Sequence, residues 1–151
     1  MSPSSKFFIF LLRISMGAFM FYAGITKILN PAWTSAGYLK AAITFPEIYA
    51  WLLMPSNIIW VDLINKWGLT LLGISLILGV GVRLSAPLGA LLMLLYYFPI
   101  LNFPLVGERS YIVDDHIIYA AVLLLLASVH AGRIWGLERW FVNFPVIGRF
   151  T

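Results

Sequence analysis

Residues 117–129 form an apolar run relieved only by Tyr119 and Ser128. Asp114, Asp115 and His116 precede the run, and His130 and Arg133 follow it. A continuous apolar segment with polar ends reads as a helix that crosses a membrane. Such a helix needs neighbours of its own kind, and three more apolar runs supply them. Spans are expected at 7–28, 65–83, 84–103 and 115–133. Composition agrees: 62% of residues are hydrophobic and 11% charged, and mean hydropathy is +0.94. Soluble domains carry about 45–50% apolar and about 25% charged residues, so this chain lacks the polar side chains to coat a surface facing water. The fold class expected is an all-α membrane protein in a single domain. It is a four-transmembrane-helix bundle with interfacial helices between spans one and two and at the C-terminus.

The first span is about 33 Å long at 1.5 Å per residue, with Ser4 or Ser5 as its expected cap. Lys6 precedes it and no small-x-small cleavage site follows, so it reads as a retained span rather than a signal peptide. Arg13, Gly17, Met20, Gly24 and Lys27 recur at helical spacing and make one stripe, where small residues permit close helix approach. Asn30-Pro31 ends the span, because the residue before proline avoids helical geometry. Residues 31–64 hold Trp33, Trp51 and Trp60 among three prolines. Their apolar pieces are too short to span, and tryptophan favours the headgroup level, so this connection reads as interfacial or re-entrant helices. Gly68, Leu72, Ser75, Gly79 and Arg83 form a second small and polar stripe. Residues 102–114 read as a polar loop. The tail, 134–151, mixes Trp135 and Trp140 with Arg139 and Arg149 and reads as an amphipathic segment on a membrane surface.

The charge pattern orients the bundle. With four spans, one side holds six lysines and arginines (Lys6, Arg13, Arg83, Arg133, Arg139, Arg149), and the other holds four (Lys27, Lys40, Lys66, Arg109). The positive-inside rule then places both termini in the cytoplasm, in the cell membrane. The same flanking cations account for the net charge of +4. No basic patch or binding motif points to nucleic acid. The absence of cysteine excludes disulfide scaffolds, thiolate metal sites and relays through the chain's own thiols. No His-x-x-His or Glu-x-x-His pair occurs, so no metal is expected.

On this topology one depth collects Tyr22 and Lys27 from span one, Tyr96 and Tyr97 from span three, and Asp115, His116 and Tyr119 from span four. Ionisable groups at membrane depth are costly and usually face a bundle interior. The set offers a proton carrier, hydrogen-bond donors and aromatic walls. A quinone needs an apolar slot, a donor to each carbonyl and a group that exchanges protons. Asp115 and His116 are the candidate proton-handling pair, with Tyr22, Lys27, Tyr96, Tyr97 and Tyr119 as candidate quinone contacts. A structural reading stands beside this one. Asp115 and His116 suit a helix N-terminus, where an anion is favoured by the dipole, and Lys27 suits either a snorkelling anchor or a partner for Asp115. Arg13 lies inside the first span, and Glu138 is the carboxylate available on its side. An Arg13–Glu138 ion pair tying the tail to the bundle is expected, with anionic lipid as the competing partner.

Several motifs resemble those of the DoxX family of membrane proteins. These are LLRISMGAFMFYAGITKILNP, GVGVRLSAPLGALLMLLYY, DDHIIYAAVLLLLA and AGRIWGLERW, in that order. NPAWTSAGYLKAA is similar to the DoxD branch, the small membrane subunit of thiosulfate:quinone oxidoreductase. The resemblance covers residues 7–140. Arg13, Gly24, Lys27, Asn30, Pro31, Arg83, His116, Arg133 and Gly136 match its recurrent pattern, and Glu138 stands where an acidic residue often follows Gly-Leu. The resemblance implies a four-helix membrane bundle. It also implies a quinone-linked redox system coupled to oxidation of a sulfur compound such as thiosulfate, with a second redox subunit or a further copy as partner. The alternative is a non-catalytic membrane scaffold that anchors a soluble redox partner.

Overall fold

The computed structural model describes residues 1–108 and 110–141. Helix α1 (Pro3–Leu29) starts with proline in its first turn, where the missing N–H costs nothing. Its cap is Ser2, not Ser4 or Ser5: the Ser2 hydroxyl accepts the Ser5 N–H at 3.2 Å. Asn30, in an extended conformation ahead of Pro31, ends it. Two short helices follow, α2 (Ala36–Lys40) and α3 (Pro46–Leu52).

The second long helix departs from the expected 65–83. α4 (Pro55–Leu63) passes through a π-turn (Ile64–Gly68) into α5 (Leu69–Leu78), making one continuous helix of 24 residues. No proline or glycine lies between Pro55 and Gly68, so nothing stops the helix at Ile64. The π-turn takes up the irregularity without breaking the backbone ladder. Residues 58–64 are therefore part of this helix and not a separate interfacial piece. Gly79 and Gly81, at φ +65° and +63°, make the reversal that follows, a conformation that glycine adopts at no steric cost.

Helix α6 (Val82–Ile100) replaces the expected 84–103. A small antiparallel sheet succeeds it: β1 (Leu101–Asn102), β2 (Leu105–Val106) and β3 (Ser110–Tyr111), in the order β1-β2-β3. The all-α expectation and the polar loop at 102–114 both miss these strands, which are too short to show a period of two. Helix α7 (Asp115–Ser128) stops five residues short of the expected 133. His130 reverses the chain at φ 51°, and a single 3-10 turn (Ala131–Arg133) and α8 (Glu138–Phe141) come after it. The expected amphipathic tail extends to 151, and its residues 142–151, like Arg109, lie outside the described ones.

Three helices, Pro3–Leu29, Pro55–Leu78 and Val82–Ile100, are long and apolar enough to cross a membrane. α7, with 14 residues, is about 21 Å long, short of the ~30 Å hydrocarbon core. The outward faces are apolar throughout. Phe8, Phe19, Leu71, Leu88, Leu91 and Leu124 are all exposed, an outside that suits lipid rather than water.

The bundle is two tight pairs. α1 packs antiparallel on α5, and α6 packs on α7, while α5 meets α6 along a thinner seam. Lipid tails are as apolar as leucine, so hydrophobic burial gives little drive here, and close packing through small residues supplies it. Gly17 lies against Ile77, Gly24 against the backbone of Thr70, and Gly73 against the backbone of Phe21. Met20, Leu72, Leu76, Leu123 and Leu126 fill the centre.

That register staggers the two long helices. Arg13 reaches the level of Gly79, so the first turns of α1 overhang the end of α5. There Phe10 meets Trp135 at 5.4 Å. At the opposite end Pro55–Leu63 overhangs α1, and the 30–52 connection closes over the gap. The Asp62 carboxylate anchors it, accepting the Ser35 N–H at 2.8 Å and the Ser35 hydroxyl at 2.6 Å.

Candidate functional site

The N-terminus of α7 sits at that closed end. Asp114 precedes the helix in extended backbone, φ −118°, ψ −175°. This conformation turns its carboxylate back over the first turn. Oδ1 accepts the N–H of His116 at 3.0 Å and of Ile117 at 3.2 Å, and Oδ2 lies 2.6 Å from His116 Nδ1. One buried carboxylate thus caps the helix and orients the imidazole. The expected partner was Asp115. That residue is the first of the helix and exposed, and the ion pair to the ring is made by Asp114. Asp114 replaces it because only the capping position reaches back to residue i+2. With Nδ1 donating to the carboxylate, Nε2 of a neutral ring carries the lone pair, and it takes no hydrogen bond among the described residues.

His116 is a wall shared by two clefts. One, of about 270 Å³, is bounded by Lys27, Trp33, Tyr38, Asn65, Tyr96 and His116. The other, of about 380 Å³, is bounded by Glu108, Ser110, Asp114, Asp115 and His116 with Ile100 and Val106. The first is aromatic and faces the bundle. The second is acidic and lies under the small sheet.

The aromatic cleft is tightly built. The Tyr96 ring meets the His116 ring edge-on at 5.8 Å, and the Tyr96 hydroxyl donates to Asn65 Oδ1. Lys27 Nζ lies 5.1 Å from the Trp33 ring centre and 5.6 Å from that of Tyr96. Lys66 reaches Trp33 from the other side, at 5.5 Å. Such cation–π contacts are worth about 0.5–2 kcal/mol, more where water is excluded. The only ion pairs among the described residues are His116–Asp114 and Arg133–Glu138, so Lys27 is held by aromatic faces rather than by Asp115. Tyr38 donates to the Tyr96 carbonyl, and Tyr49 donates to the Leu95 carbonyl at 3.1 Å. Burial pushes the Tyr38 phenol up to about 12, with the charge of Asp114 and then Tyr49 adding to it. Burial raises Tyr49 as well. Both remain O–H donors at neutral pH.

The structure thus brings Lys27, Tyr96 and His116 together, and it places the other expected contacts elsewhere. Tyr22 is 71% exposed on the outer face of α1 and points away from the cleft. Tyr97 is buried behind it and donates to the Ile112 carbonyl at 2.6 Å, fixing the sheet's exit to α6. Tyr119 packs on Phe19 at 5.0 Å, one turn beyond the site. Five cleft residues are absent from the expected set: Trp33, Thr34, Ser35, Tyr38 and Asn65. Trp33 and Tyr38 belong to the aromatic connection. Asn65, a buried amide in a long apolar helix, is the one signal that singles out its own position.

At the far end, Arg13 and Glu138 are both fully buried, but they do not form the expected ion pair. Arg13 Nη1 donates to the Ala131 carbonyl at 3.1 Å, and the cation nearest Glu138 is Arg133, 3.8 Å from Oε1. Gly79 and Gly136 make room for the guanidinium, and Gly132 for the carboxylate. The Ala131 carbonyl takes the place at the guanidinium that the carboxylate was expected to fill, and neither Glu138 oxygen has a hydrogen-bond partner among the described residues. Burial raises the Glu138 carboxyl above its ordinary range, and the Val82 amide, Arg133, His130 and Arg13 offset this in part. The tail is tied to the bundle in any case: the Leu137 and Glu138 amides donate to Leu78 and Gly79 carbonyls at 3.0 and 2.9 Å.

Among the described residues no group of three His, Cys, Asp or Glu side chains is placed to hold a metal ion. Neither a family model, nor a curated protein, nor a solved structure matches this chain.

Proposed function

We propose that this chain is a multi-pass membrane subunit of a quinone-linked redox system, with the quinone ring in the aromatic cleft. One observation carries the reading: His116, held by Asp114, is the common wall of an aromatic cleft and an acidic one. A quinone, when bound, takes up two electrons and two protons. His116 Nε2 exchanges a proton with whatever lies in the cleft, and Asp114 stabilises the imidazolium that forms. The acidic cleft of Glu108, Asp114 and Asp115 lets the ring return to its starting state. Tyr38, Tyr96 and Asn65 supply polar contacts at the rim, and Trp33 and Tyr96 supply faces for a planar ring.

The three apolar helices and the lipid-like outside support a membrane setting. Both described ends of the chain meet at one end of the bundle. Together with the excess of Lys and Arg at that end, this supports cytoplasmic termini. The resemblance to DoxX proteins supports a reduced sulfur compound such as thiosulfate as electron donor, acting through a second redox subunit.

The test is quinone binding to the purified protein in detergent, read by difference absorbance, for wild type and His116→Ala. The reading expects saturable binding in wild type. Quinone reduction, whose two electrons come from thiosulfate through the second redox subunit, is read in membranes that retain that subunit and is lost in a His116→Ala variant that still unfolds cooperatively. Full turnover in a folded His116→Ala protein overturns it.

One observation favours a second reading, the scaffold. Residues 131–138 are built into the bundle end around Arg13, which makes a rigid base for docking a soluble partner. Deletion of residues 137–151 then releases the partner while quinone binding is absent throughout.

A further inference from the structure

Three cavities adjoin along the seam between the two helix pairs. The aromatic cleft shares Tyr38, Asn65 and Tyr96 with a second cavity of about 150 Å³ behind it. That cavity shares Ile64, Leu92 and Leu95 with a third, an apolar groove of about 660 Å³ on the lipid side of α5 and α6. The groove follows α6 from Leu95 back to Leu84, roughly 16 Å at 1.5 Å per residue. It exists because the α5–α6 seam is thin. Gly68 adds no side chain to fill it, Gly89 is taken up by Leu72 and Leu123 on the inner side, and Ser75 and Ser85 turn their hydroxyls on each other at 2.6 Å.

We propose that this groove holds the isoprenoid tail of the same quinone whose ring occupies the cleft. The proposal rests on the redox reading above and extends it to the substrate class: a long-tailed membrane quinone rather than a small soluble one. Continuity argues for a single flexible chain. A helix of a second copy is about 10 Å across, too wide for the cavity of about 150 Å³ that lies between cleft and groove, whereas an isoprenoid tail fits it once the Tyr96–Asn65 hydrogen bond opens. Charge argues against an anionic lipid. The cleft end is bounded by the Asp114–His116 pair, and Lys27 is already placed over Trp33 and Tyr96. The Tyr96–Asn65 hydrogen bond closes the wall between the cleft and the small cavity behind it. It opens when a tail threads past it, which frees one hydroxyl and one amide for the ring.

The experiment compares two quinones with identical heads, one without a tail and one with an isoprenoid tail long enough to run the groove. Binding to wild type is measured in phosphatidylcholine nanodiscs, with concentrations taken as mole fraction in the bilayer. The tailed quinone is expected to bind at least tenfold more tightly. Leu88→Trp removes that gain and leaves tailless binding unchanged. Leu91→Trp does the same, and because both leucines face lipid, neither change disturbs the core. If the tail adds nothing while the head still binds, the groove assignment falls and the redox reading stands. If neither quinone binds wild type, both fall. An alkyl phosphate of equal chain length that displaces the tailed quinone makes the groove a lipid site and overturns the proposal. So does a dimer that Leu88→Trp dissociates.

Discussion

Asp114 performs two tasks at once, and two substitutions separate them. Its carboxylate caps α7 through the His116 and Ile117 amides and holds the His116 ring through Nδ1. Asp114→Ala removes both. Loss of a cap costs about 0.5–2 kcal/mol, and loss of a negative charge at a helix N-terminus costs a further ~0.3–1 kcal/mol. The alanine variant is therefore expected to lose roughly 1–3 kcal/mol. Asp114→Asn keeps a capping oxygen of nearly equal quality. It loses the charge and turns an NH2 group to His116 Nδ1, which must then accept rather than donate, so it is expected to lose about 0.3–1 kcal/mol at the helix terminus. Its effect on chemistry should be much larger. An amide offers no anion to an imidazolium, so quinone reduction in Asp114→Asn should fall toward that of His116→Ala. The assay pairs reversible unfolding in detergent with quinone turnover in membranes that retain the donor subunit and are supplied with thiosulfate as the source of electrons. Equal stability losses in the two variants refute the capping argument. Full turnover in a stable Asp114→Asn protein refutes the carboxylate's part in proton transfer.

Three further outcomes follow from the packing. Gly24→Val pushes a side chain into the Thr70 backbone, and overpacking of this kind costs about 1–3 kcal/mol or more. Gly37→Ala, which meets nothing within 4 Å, should leave the unfolding midpoint in place, and equal effects of the two would refute the close α1–α5 approach. Arg13→Met removes a charged donor from the Ala131 carbonyl, worth about 1.5–3 kcal/mol. A loss below about 0.5 kcal/mol in unfolding experiments would show that the bond is not made. The Glu138 carboxyl is raised by burial, so the folded chain binds that proton more tightly than the unfolded chain. The stabilisation is then fully present below the ordinary carboxylate value of about 4.3 and is lost as pH rises through the raised one. Intrinsically corrected hydrogen-exchange protection of the Leu137 and Glu138 amides should fall with pH across that window. It should stay flat in Glu138→Gln.

Local chemistry determined much of this protein before any packing was considered. Hydrophobic runs determined where helices lie, since each run needs only its own backbone partners. Asn30-Pro31 determined where α1 ends, whereas the reversal at Gly79 and Gly81 falls inside the expected span 65–83 and is missed by it. The stripe of Gly17, Met20 and Gly24 determined which face of α1 turns inward. His116 was legible for the same reason, as an ionisable group at the mouth of an apolar helix. Tertiary structure decided the rest. Which of two adjacent aspartates holds the histidine depends on one backbone conformation, the extended cap at Asp114, and composition is silent about it. The cleft draws on positions 27, 33, 38, 65, 96 and 116. Residues so far apart in the chain become neighbours only through helix register. A period of 3.6 tells each helix which face to bury and says nothing about which neighbour it will bury it against.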